Sequence, residues 1–226
     1  MIALCNSAAE RQAAILVDNA RASVKFGAVS GNRAAENKER PPVIETVSRY
    51  LFTDYSAKWP AEFEQENERV RLLLGEDLIR CYHIGSTSVP GLAAKPIIDL
   101  LPVVRSIERL DACTPQFEAA GYQAWGEYGL AGRRYFTKDR AEYRTHNLHI
   151  YQEDNPEIER HLAFCAYLRA HQNLCEEYAS LKREAYAHHP ADVAAYNDHK
   201  NRWIKRIERL AVNWYREQTS PGHGAD

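Results

Sequence analysis

One run limits the fold more than any other: IIDLLPVV, residues 97–104. It is short for a helix and β-branched at several positions, so it predicts a strand within Pro96–Val104. Asp99 interrupts its apolar character. In a strand, Ile97, Asp99 and Leu101 share one face, and Ile98 and Leu100 the other. A carboxylate in such a run is costly to bury unless it is paired or hydrogen-bonded. Asp99 is therefore expected where the sheet face or strand end opens into a cleft. The alternative is a structural carboxylate held by backbone donors.

The preceding segment, GSTSVPGLAAKP, suits an anion-binding loop. Gly85 and Gly91 permit tight backbone geometry. Ser86, Thr87 and Ser88 offer hydroxyls, and adjacent amides can form an anion nest. Neither GxxxxGK[ST] nor GxGxxG is present, so the loop has neither common nucleotide fingerprint. Lys95 either meets a phosphate or carboxylate or is solvated before Pro96. Arg133 and Arg134 diverge if they lie on a strand, so at most one is expected to face a pocket, where it can fork onto an anionic oxygen pair. In HNLHIY, a strand puts Asn147, His149 and Tyr151 on one face and Leu148 and Ile150 on the other. His146 and His149 then fall on opposite faces. A site combining His83, Asp99 and His149 suits a divalent ion bound with substrate better than a dedicated zinc centre.

Around these motifs the chain reads as an ordered series. Residues 1–45 form an N-terminal extension, with a helix expected over Ala8–Lys25 and a polar linker after it. Pro60 fits the first turn of a helix that Gly75 ends. Strands are expected at Leu78–Ile84, Tyr122–Trp125, Arg133–Thr137 and Asn147–Tyr151, and one helix at Ile107–Gly121. GEYGLAG and KDRAEYR read as turns between strands. Helices follow at Ile158–Ala170, Gln172–Ala187 and Val193–Arg216. The last has Trp203, Ile207, Leu210 and Trp214 as its apolar face. On the C-terminal helices, Lys182, Tyr196 and Lys200 read first as solvated or core-edge residues. The organisation is an extension over 1–45, an α/β core over 46–155, a helical region over 156–219 packed on that core, and a flexible tail over 220–226.

Bulk properties exclude some classes. With 29 basic and 31 acidic residues the net charge is -2, which gives no field for nucleic acid. Cys5, Cys81, Cys113, Cys165 and Cys175 include no CxxC pair and suit a reduced, cytoplasmic protein. No apolar run approaches the roughly 18 residues of a membrane span.

Five segments, HIGSTSVPGLAAKPIIDLLPVV, GEYGLAGRRYF, HNLHIY, YLRAH and YASLKREAY, closely resemble the GrpB family, also called UPF0157. The resemblance runs from about Leu51 to Trp214. That family is similar in fold to the nucleotidyltransferase superfamily and to a module appended to some bacterial dephospho-CoA kinases. The resemblance implies an α+β, nucleotidyltransferase-like mixed sheet with helices and a C-terminal helical layer. The superfamily pattern joins a GS dipeptide to a strand bearing Asp-x-Asp. Gly85-Ser86 matches the dipeptide and Asp99 the second aspartate, while Ile97 stands at the first and His149 falls near the third acid.

Nucleotidyl transfer uses two metals held by two or three carboxylates, so this set is incomplete. The expected function is binding of a nucleotide or other phosphorylated small molecule, with metal-assisted transfer in view. The alternative is a catalytically inactive metabolite-binding or partner-binding module. Asp99 and His149 are the expected catalytic residues. Gly85, Ser86, Thr87, Ser88, Lys95, Arg133 and Arg134 are the expected ligand-binding residues. His83, Asp99 and His149 are the expected ligands for Mg2+ or Mn2+, and no sequence feature points to an organic cofactor.

Overall fold

The computed structural model describes residues 51–220. The helix, linker and chain start expected before residue 51 and the tail over 221–226 lie outside the described residues.

The central element is strand β2 (Ile98–Val104), which pairs antiparallel with β1 (Leu78–Ile84) on one side and parallel with β5 (Tyr143–Gln152) on the other. Strands β4 (Arg133–Arg140) and β3 (Tyr122–Ala124) complete a five-stranded mixed sheet in the order β1-β2-β5-β4-β3. The β2–β5 ladder skips Leu101 and Pro102, where proline has no N–H to donate.

The two faces of β2 are buried against different helices. Ile98, Leu100 and Val104 pack with Trp59, Phe63 and Val70 of α1 (Trp59–Leu74). Pro60 opens this helix and Gly75 ends it with φ 55°, as the sequence predicts. Leu110 of α2 (Ile107–Ala112) and Phe117 of α3 (Thr114–Ala119) extend the same core. On the opposite face, Leu101 and Tyr151 pack under Cys165 and Leu168 of α4 (Pro156–Ala170) and Tyr178 of α5 (Gln172–His188). Helix α6 (Val193–Thr219) lies against α4 and α5. The architecture is therefore the expected α+β mixed sheet with helices and a C-terminal helical layer.

Three local expectations are corrected. The helix expected over Ile107–Gly121 is two six-residue helices. Pro115, in the first turn of α3, cannot donate a helical hydrogen bond, so the chain breaks at Cys113. KDRAEYR is mostly strand: β4 and β5 run to a two-residue turn at Ala141–Glu142, pairing Arg140 with Tyr143. Ala141 takes φ 55° there without the glycine that usually marks such a turn. On α6, Leu210 is 48% exposed, and the buried seam instead runs through Tyr196, Ile207 and Ala211.

A charge is buried on the α1 side of the sheet. Glu66 is fully buried and accepts hydrogen bonds from Lys138 Nζ at 2.7 Å, from Arg69 at 2.5 Å and from the Tyr122 hydroxyl. Burial pushes its pKa up, but the bonds from Lys138 and Tyr122 and the charges of His146 and Lys138 outweigh it, holding the carboxyl at about 2. Glu66→Ala strands Lys138 and Tyr122 beside the core and is expected to cost about 3–5 kcal/mol in urea unfolding at neutral pH. Because the folded pKa is depressed, this stabilisation is full above the ordinary value of 4.5 and fades as pH falls toward 2. The gap between wild type and Glu66→Gln should therefore shrink on acidification.

Candidate functional site

Where β2 begins, its apolar pattern gives out at Asp99, on the face covered by the C-terminal helices. Asp99 pairs across the sheet with Ile84 and Asn147. Its Oδ1 accepts a 2.8 Å hydrogen bond from Asn147 Nδ2. Asn147 Oδ1 in turn accepts from the Tyr135 hydroxyl at 2.9 Å and from Arg144 at 3.3 Å. His149 Nε2 lies 3.6 Å from Asp99 Oδ1. Arg133 Nη1 lies 3.4 Å from His149 Nδ1, and a guanidinium can only donate, so the contact leaves the neutral ring's proton on Nε2, toward Asp99. The carboxylate is thus held by side chains rather than by backbone donors.

Gly85 makes room for Asp99. Its φ is 69°, and a Cβ built on it would fall 2.3 Å from Asp99 Oδ2. Ser86–Ser88 form a single 3-10 turn. Ser88 Oγ donates to Gly85 O at 2.8 Å and accepts from Arg169 at 3.0 Å, which pins the turn to α4. Ser86, Thr87, Lys95 and Asp99 line a cavity of about 400 Å³.

Sequence reasoning under-read the other wall of this cavity. Lys182 from α5, Tyr196 and Lys200 from α6, and Tyr143 and Arg144 from β5 all line it. Four cationic side chains therefore surround one carboxylate. The ammonium groups of Lys95 and Lys200 lie 4.2 Å and 4.7 Å from the centre of the Tyr196 ring. Burial first, and then the charge of Lys200, lower Lys95 to about 8 against the pull of Asp99. Burial likewise lowers Lys200 to about 8, again against Asp99. Lys182 is 1% exposed, and its Nζ has no hydrogen-bond partner among the described residues. Its nearest aromatic contact is the Tyr178 ring, 4.4 Å away. Burial, reinforced by Lys200, drives its pKa well below the ordinary lysine value.

Several expected site residues stand elsewhere. Arg134 forks onto Asp111 of α2 at 2.6 Å and 2.7 Å, on the far face of the sheet. Arg133 is buried beneath the 126–132 loop and donates to the carbonyls of Glu127 at 3.1 Å and Tyr128 at 2.6 Å. It touches His149 and lies 4.8 Å from the centre of the Tyr135 ring, behind the cavity wall, but does not itself line the cavity. His83 pairs with Leu100 and stacks on Phe63 of α1 at 4.8 Å, so it occupies the face opposite Asp99 and His149. Thr87 Oγ1 spends its proton on Ile97 O, so it accepts from His83 Nε2 at 3.0 Å, and that nitrogen carries hydrogen. Burial lowers the His83 pKa to about 4 despite Asp99, which keeps the ring neutral.

Among the described residues no three His, Cys, Asp or Glu side chains are grouped to hold a metal ion. His83, Asp99 and His149 thus lack the geometry of the expected ligand set. One carboxylate among four cations also does not fit the acidic cage that a pair of magnesium ions requires.

Comparison with known proteins places this site in a family. A model described as GrpB protein matches residues 51–210. The UPF0157 protein YqkA of Bacillus subtilis is 49% identical over 160 residues, covering 71% of this chain but 46% of that protein. The matched segment thus spans less than half of that relative's length. The UPF0157 protein BH1888 of Halalkalibacterium halodurans is 35% identical over 164 residues, covering 70% of this chain and 80% of that one. The crystal structure of a conserved protein from Enterococcus faecalis, also called GrpB, superposes with a TM-score of 0.71 at 44% identity, covering 73% of this chain and 99% of that one.

Gly85→Ala is expected to push Asp99 out of its seat and to destabilise the fold by about 1–3 kcal/mol. In an Asp99→Ala background the same substitution should cost less, because only the backbone strain remains. A double-mutant cycle by chemical denaturation measures the difference.

Proposed function

The chain belongs to the GrpB family, and from that premise we propose that it binds a phosphorylated small metabolite, nucleotides included, as a binding module rather than as a metal-dependent transferase. The observation that carries this reading is the orphaned Lys182 amine. A buried donor left unpaired costs about 1–3 kcal/mol. A ligand oxygen in the cavity would supply the missing acceptor. Lys95, Lys200 and Arg144 ring the same space and would neutralise the rest of an anionic group. Ser86 would add a hydroxyl donor, and Asp99 would accept from a ligand hydroxyl. Mg2+ or Mn2+ enters this reading only as an ion carried in with the ligand's phosphates.

Isothermal titration with inorganic pyrophosphate, ATP and CoA precursors tests the reading. Binding is expected to persist in EDTA. Lys200→Gln should weaken pyrophosphate binding about tenfold or more, as befits loss of a charge-assisted bond. Asp99→Asn removes the only opposing charge of the wall, so pyrophosphate affinity should stay level or rise. Binding that requires a divalent ion and collapses in Asp99→Asn would instead favour metal-assisted chemistry.

Binding should also depend on pH in a defined direction. Lys95 and Lys200 sit at about 8 without ligand. An anion favours their charged forms and raises both values, so binding takes up protons. Affinity is therefore expected to fall as pH rises through about 8 and above, with proton uptake seen as a buffer-dependent heat.

A further inference from the structure

Lys182 has a second competence that electrostatic binding does not use. Lys182 lines the cavity and its amine is fully buried, with no hydrogen-bond partner among the described residues and with Lys200 as a cationic neighbour. Desolvation and an adjacent cation are the two conditions that turn a lysine into a nucleophile. We infer that Lys182 captures a phosphorylated aldehyde or ketone as a reversible imine. This rests on the anion-binding reading, because Lys95, Lys200 and Arg144 would hold the phosphate that brings the carbonyl to Nζ.

The step balances without an oxidant or reductant. The Nζ lone pair attacks the carbonyl carbon, a C–N bond forms, and the carbonyl π pair moves to oxygen. A proton from a flanking lysine ammonium reaches that oxygen, and a nitrogen proton returns to the flanking amine. A second proton transfer lets the oxygen depart as water while the nitrogen lone pair forms C=N, and the remaining nitrogen proton returns to the flanking amine. Lys95 and Lys200, both held at about 8, are suited to give and retake a proton near neutral pH. An exposed lysine, by contrast, keeps only about one amine in a thousand unprotonated near neutral pH. Burial shifts Lys182 toward the unprotonated form.

Pyridoxal 5′-phosphate serves as the probe. The whole chain is incubated with it near neutral pH, reduced with borohydride to fix any imine, and mapped by peptide mass spectrometry. The reduced adduct is expected at Lys182, in excess of exposed lysines such as Lys58 and Lys205 by at least about tenfold. Inorganic pyrophosphate should protect Lys182, and pyridoxal lacking the phosphate should label it more slowly. Lys182→Arg retains a cation but should lose the adduct. Lys182→Met tests the same loss with an apolar side chain, and mapping of the unaltered chain decides the matter if either variant fails to fold. Labelling spread over exposed lysines with no excess at Lys182 overturns the inference. If that result accompanies calorimetric pyrophosphate binding, imine capture fails and the anion site stands. If pyrophosphate does not bind either, both fail.

Discussion

The parallel pairing of β2 with β5 is the constraint on which the remaining structure depends. A parallel pair cannot be closed by a tight turn, so the chain must travel through α2, α3, β3 and β4 before β5 takes its place beside β2. Both faces of the pair then need cover, which explains the nearly unbroken apolar run of β2 and the helices on either side. Asp99 is the polar exception, set level with Asn147 at the end of that pairing. Nothing larger than glycine could stand at position 85 beside it, since the carboxylate already occupies the space of a Cβ. The loop sequence and the strand sequence are therefore one steric agreement.

Two buried charges on opposite faces of the sheet show how the same physics gives different outcomes. Glu66 is surrounded by donors from Arg69, Tyr122 and Lys138, so its ionised form is satisfied within the fold. Lys182 is as deeply buried, yet its amine has no hydrogen-bond partner among the described residues and lies beside the Tyr178 ring and the charge of Lys200. A satisfied buried charge can serve the fold alone. An unsatisfied one at a cavity wall weakens the empty state and favours whatever supplies an acceptor. Stability and ligand demand are thus separated by the sheet, one on each face.

Much of this was legible because it is local. Alternation around Asp99 and Asn147 and the proline and glycine that bound α1 act within a few residues. The wall opposite Asp99 is not local. Lys182 and Lys200 stand more than eighty residues from it in sequence, and α5 and α6 bring them over the strand end only through tertiary packing. On a helix surface each reads as an ordinary solvated lysine. Arg144 and Tyr143 were hidden differently: the turn at Ala141–Glu142 lacks a glycine, so the strand that presents them reads as a loop. His83, expected beside Asp99 and His149, takes the other face because that face follows from its register with Leu100, which its own segment does not specify. Arg133 and Arg134 did diverge as alternation requires, but neither side chain ends in the cavity.

Ile97 gives the site its chemical character. It lines the cavity at the position where the superfamily pattern would set a first aspartate. Paired carboxylates would gather metal ions, and those ions would neutralise phosphate. With an isoleucine there, that route loses half of its anionic cage. Lysine and arginine side chains stand around the same space instead, and they neutralise an anion directly. The apolar side chain at position 97 and the convergence of Lys95, Lys182 and Lys200 are therefore complementary features of the binding reading proposed for this cavity.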